Sequence, residues 1–108
     1  MELGFENRRR HERVTLGQDI VRGTEFTGIN LSESGMLLGT SRKFYAGYKG
    51  DIELVLGTDK SLRFRFEVMR VERAQSVYDS GYRLGVQFLD LRTSQQLELR
   101  EFIASLQA

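Results

Sequence analysis

Two groups of residues carry side chains whose types and spacing suit chemistry. The first is Asn7-Arg8-Arg9-Arg10-His11-Glu12-Arg13, four arginines in six positions, with Arg9 and Arg13 four apart. The second is Asn30-x-Ser32-x-x-Gly35. Arginines at that spacing can converge from an extended or turning chain and fork onto phosphate oxygens or the O6 and N7 of guanine. Asn30 offers two amide donors and an acceptor, enough to read a base edge. Ser32 adds a short hydroxyl, and Gly35 permits a sharp turn or a close approach. Together these are parts for a small anionic ligand with planar purine bases. Alone, each group has a plainer reading. The arginine run would be a solvated basic arm, and Asn30, Ser32 and Gly35 would merely build a turn.

Composition narrows the chemistry. The chain has 16 Lys+Arg against 15 Asp+Glu, a formal net charge of +1. That argues against general nucleic-acid binding, which requires a clear basic excess. Thirteen of the 16 basic residues are arginine and three are lysine. Four arginines less Glu12 give a local +3 over Arg8–Arg13 that the near-neutral total conceals. There is no cysteine, hence no thiolate nucleophile, disulfide or thiolate metal site. The single histidine, His11, has no nucleophile or carboxylate placed beside it by spacing, so it reads as an exposed passenger. No metal site and no enzymatic activity are expected. No apolar run is long enough to span a bilayer, so no membrane insertion is expected and the default location is cytoplasmic.

The elements that must position these residues are mostly strands. Leu62, Phe64, Phe66 and Val68 alternate with Arg63, Arg65 and Glu67, which predicts a strand with one apolar and one charged face. Met69 and Val71 fall on the opposite parity, so a β-bulge is expected near Val68-Met69. Tyr82, Leu84, Val86 and Phe88 predict a second alternating strand, and Ile52, Leu54 and Leu56 a third. Gly35 to Leu38 and Thr24 to Leu31 are shorter candidates, and Val14 to Val21 a weaker one interrupted at Gly17. Gly57-Thr58-Asp59-Lys60 reads as a hairpin turn. Phe64, Phe66, Tyr82 and Phe88 are expected in the core, while Tyr45 and Tyr48 lie in a turn-rich stretch freer to meet a partner. Leu99, Phe102, Ile103 and Leu106 then follow helical spacing, with Thr93 and Gln96 placed as a capping box. The sum is a mainly β fold: six antiparallel strands closing into a small barrel, split-barrel-like, with a C-terminal helix over about 93–107. Residues 1–13 are expected to form a flexible Arg-rich arm and 14–108 the barrel and helix.

Arg9-x-x-x-Arg13 followed by Asn30-x-Ser32-x-x-Gly35 resembles the signature of the PilZ domain family, RxxxR followed by (D/N)xSxxG. Gly35-Met36-Leu37-Leu38 is similar to the strand after the family's serine–glycine turn. Tyr82-Arg83-Leu84-Gly85-Val86-Gln87-Phe88 is similar to its penultimate strand. The resemblance runs from Arg8 to Leu106. It implies a six-stranded antiparallel barrel with a C-terminal helix that acts as a bacterial receptor for cyclic di-GMP. On this sequence it implies that Arg9 and Arg13 contact phosphates and guanine faces, with Arg8 beside them. Asn30 would bond a guanine edge, Ser32 would support it and Gly35 would allow the turn. Two departures are visible. Asn30 stands where Asp is commoner, replacing a carboxylate clamp by one amide oxygen, and Ser34 stands where a second glycine is common. The resemblance also implies a switch, in which the ligand orders the arm and the new surface selects an unidentified downstream effector protein. The rival readings are a ligand-independent interaction module of the same fold and a small barrel binding single-stranded nucleic acid.

Overall fold

In the computed structural model, which describes residues 13–16, 20–74 and 81–107, the alternating segments form six strands. They are β1 (Val14–Thr15), β2 (Thr27–Leu31), β3 (Gly35–Thr40), β4 (Lys49–Gly57), β5 (Lys60–Arg73) and β6 (Tyr82–Leu89). One helix follows, α1 (Thr93–Gln107). The strands make a single sheet in the order β1-β2-β3-β6-β5-β4, with every pairing antiparallel.

The sheet curls because the same stretch of chain serves both of its ends. Val14 and Thr15 pair with Leu31 and Asn30 of β2. Ile20–Arg22 lies against β4 at the other end: the Arg22 N–H donates to the Glu53 carbonyl (2.9 Å) and the Val55 N–H to the Ile20 carbonyl (2.7 Å). Val21 forms the bridge to Leu54. The expected strand from Val14 to Val21 is therefore two short contacts on opposite edges, and Gly17 lies outside the described residues. The result is a split barrel whose edges are largely covered.

The period-2 pattern sends one face of each long strand inward. Phe64, Phe66 and Val68 of β5 are buried with Leu84, Val86 and Phe88 of β6, and the Phe64 and Phe88 rings stack at 4.9 Å. Met36 and Leu38 of β3 and Ile52 and Leu54 of β4 belong to the same core. The expected bulge falls between Val68 and Arg70: Val68 pairs with Val86 and Arg70 with Gly85, leaving Met69 as the extra residue. Met69 points outward and Val71 returns inward, so the phase changes only after Met69. Tyr82 is a correction. It is half-buried rather than core, and the Arg73 guanidinium lies 5.9 Å from its ring.

Helix α1 seals the barrel with Leu99 and Ile103, both buried, while Phe102 is half-buried and Leu106 is exposed. Burying a Leu or Ile side chain contributes about 1.5–3 kcal/mol, which a helix this short needs in order to persist. Its N-terminus is closed one residue earlier than expected. The Gln95 side chain, not Gln96, reaches back to accept from the Arg92 N–H (3.1 Å), while its amide donates to the Arg63 carbonyl of β5 (3.2 Å). Leu99→Ala should therefore cost about 2–5 kcal/mol in denaturant unfolding, and Leu106→Ala under about 0.5 kcal/mol. Equal losses would contradict this docking.

Candidate functional site

The β1–β2 register determines where the two motifs meet. With Thr15 opposite Asn30, Arg13 stands two residues back along the same edge, the diagonal position within reach of a long side chain. The Arg13 Nη1 donates to the Asn30 Oδ1 at 2.8 Å, across seventeen residues of sequence. Arg13 is exposed and Asn30 half-buried, so the pair lies at the rim of the barrel. Arg8, Arg9, Arg10 and His11 lie outside the described residues, as does almost all of the expected arm.

Ser32 occupies a different position from Asn30. It is buried, at 1% exposure, in the three-residue loop joining β2 to β3. Its N–H and its hydroxyl both donate to the Gly35 carbonyl, at 2.9 and 3.3 Å. Its Oγ accepts from the Ser34 N–H at 3.3 Å. The hydroxyl therefore knits the loop that follows Asn30, consistent with a supporting role. Ser34 bonds into the same loop through its N–H, and its carbonyl accepts from the Phe88 N–H (2.9 Å).

Gly35 is required for a reason that spacing did not reveal. A Cβ at this position would meet the Val86 carbonyl oxygen at 2.2 Å. Gly35 pairs with Gln87, and β3 crosses β6 too closely there for any side chain. Its torsion angle is not in the left-handed region, so close approach to β6, not a strained turn, demands the glycine.

The structure adds two residues that periodicity could not find. Glu33 is the sole carboxylate of the segment 30–35, and Arg100 of α1 forks onto it: Nε donates to Oε2 (3.3 Å) and Nη2 to Oε1 (3.2 Å). They are 67 residues apart, and the only trace of the pair in sequence is that Arg100 lies off the helix's apolar stripe.

A separate groove of about 350 Å³ lies between Arg22–Phe26 and Asp51–Glu53, sharing no residue with the two motifs. Two of its charged side chains, Arg22 and Glu53, pair with each other (3.4 Å), and Ser61 donates to Glu53 (2.7 Å). The Ser61 hydrogen bond, against some desolvation and with help from Arg22 and Arg63, holds the Glu53 carboxyl below its usual range. Among the described residues no group of three or more His, Cys, Asp and Glu side chains converges as a metal site. No helix among them is long and apolar enough to cross a membrane.

The fold has counterparts among known proteins. The family model for the PilZ domain matches residues 7–105. No curated protein matches the chain. Among solved structures, the PilZ domain with c-di-GMP of YcgR from Escherichia coli superposes with a TM-score of 0.73 at 19% identity, covering 93% of this chain and 92% of that one. YcgR in complex with c-di-GMP from Escherichia coli gives 0.73 at 21% identity, over 93% of this chain and 46% of that one. The Bacillus subtilis inhibitor of motility MotI/DgrA gives 0.73 at 14% identity, over 91% and 50%. The chain thus spans about half the length of the two longer relatives.

The geometry at Gly35 makes a direct prediction. Gly35→Ala should cost about 3 kcal/mol, because the clash is with backbone that cannot rotate away. Chemical denaturation reads it, and a loss below about 0.5 kcal/mol would contradict the close β3–β6 approach.

Proposed function

Because the chain belongs to the PilZ domain family, we propose that it is a receptor for cyclic di-GMP, with Arg8, Arg9, Arg13, Asn30, Ser32 and Gly35 forming the binding site. The observation that carries this reading is the 2.8 Å contact between Arg13 and Asn30, which unites the two motifs at one rim of the barrel. The similarity of the fold to domains solved with c-di-GMP supports the choice of ligand.

Each residue has a physical task. Arg13, with Arg8 and Arg9, supplies forked donors for the two phosphates and planar faces for the guanines. Asn30 accepts from a guanine edge; the contact with Arg13 holds its amide and leaves the second lone pair of Oδ1 available. Ser32 stays buried and fixes the loop, and Gly35 lets that loop sit against β6. Binding draws Arg8 and Arg9 onto the rim beside Arg13, and the ligand's charge-assisted hydrogen bonds offset the cost of ordering them. The rearranged surface is then read by a downstream effector protein in the cytoplasm. The chain carries out no chemistry on the ligand and needs no cofactor for this role.

Isothermal titration with cyclic di-GMP tests the reading and gives the stoichiometry. A charge-assisted hydrogen bond contributes about 1.5–3 kcal/mol, so Arg13→Ala should weaken binding on the order of 10- to 100-fold. Unchanged affinity in Arg13→Ala and Arg9→Ala would rule out the arginine assignment. Binding of oligonucleotides with steep salt dependence, and none of cyclic di-GMP, would favour the nucleic-acid reading.

A further inference from the structure

The loop that follows Asn30 carries a charge of the wrong sign for its proposed ligand. Between Asn30 and Gly35 the only ionisable side chain is Glu33. Its side chain is 18% exposed, and it sits between Ser32 and Ser34, three residues from Asn30. A carboxylate there repels a ligand with two phosphates brought to the same rim, and partial burial leaves the repulsion less screened than on an open surface. Arg100 answers that charge from the far end of the sequence. Its guanidinium makes two donor contacts to the two oxygens of Glu33, the fork geometry that suits arginine and carboxylate.

Arg100 is itself held in place. It follows Leu99, which is fully buried, and α1 is tied to β5 through Gln95 and to the β4–β5 hairpin through the Lys60–Glu98 ion pair. The docked helix therefore sets the backbone of Arg100 beside the loop, and its side chain, 60% exposed, reaches across to Glu33.

We propose that Arg100 is a positioning residue for the cyclic di-GMP site: by pairing with Glu33 it offsets the one carboxylate of the Asn30–Gly35 segment. The inference rests on the receptor reading above and deepens it, because it makes α1 a determinant of ligand affinity. By linkage, anything that undocks α1 weakens the ligand, and the ligand in turn favours the docked helix.

Titration of cyclic di-GMP against four variants of the full chain tests this. Arg100→Gln should bind about 3- to 5-fold more weakly, the scale of one partly exposed ion pair. Arg100→Lys should recover most of the loss, since it keeps the charge. Glu33→Gln should bind at least as tightly as the unmodified chain. The double variant Arg100→Gln/Glu33→Gln should return close to it, which a purely structural role for the pair would not allow. Amide exchange at Phe88, whose N–H donates to the Ser34 carbonyl, reports the loop without ligand and should stay constant throughout. Failure of the double variant to recover, weakening in Glu33→Gln equal to that in Arg100→Gln, or faster exchange at Phe88 in Arg100→Gln would each overturn the proposal. Absence of binding by the unmodified chain would overturn the receptor reading first and this one with it.

Discussion

A two-residue ladder, Val14 with Leu31 and Thr15 with Asn30, is the constraint on which the site depends. It anchors one end of the curled sheet and fixes the diagonal along which Arg13 reaches Asn30. A slip of one residue would send Val14, which is buried, to the outer face and carry Arg13 away from Asn30. So short a ladder has little strength of its own. It is held by what flanks it: Leu16 is buried in the core and its N–H donates to the Ile29 carbonyl (2.9 Å).

The site borrows its rigidity from elements that touch no ligand in the proposed mechanism. The loop of Ser32, Glu33 and Ser34 is pinned from within by the Ser32 hydroxyl and from below by the Phe88 N–H, and Arg100 pairs with its carboxylate from the side. Close passage of β3 over β6 at Gly35 sets its height. Asn30, the residue proposed to read a base edge, stands on a strand of a packed sheet, which holds a side chain more exactly than a loop does. Arg13, proposed to bind phosphate, directly precedes β1.

Much of this was legible in sequence because burial imposes a period. Leu62 to Val68 and Tyr82 to Phe88 declare their inward faces, and the change of parity after Val68 marked the bulge that Met69 occupies. The spacing of Leu99, Phe102 and Ile103 gave the helix, although Leu106 stands outside its buried face. The illegible parts are contacts with no period. Closure through Ile20–Arg22 is made by backbone atoms, which every sequence possesses. Tyr82 shares the inward parity of its strand yet sits at the end of it, where Arg73 and solvent reach the ring. The need for Gly35 comes from a neighbouring strand 51 residues away, and the Glu33–Arg100 pair joins two charges that read separately as ordinary surface. The motif spacing singled out these residues, while the different positions of Arg13 and Asn30 at the rim, Ser32 within the loop and Gly35 against β6 needed the fold.

The most direct test of the central claim is a map of backbone amide shifts by NMR as cyclic di-GMP is added. The account predicts that the largest changes cluster at Arg13, Asn30 and the loop through Gly35, with the groove of Arg22–Phe26 and Asp51–Glu53 left unmoved. Shifts centred on that groove, or none at ligand excess, would contradict it.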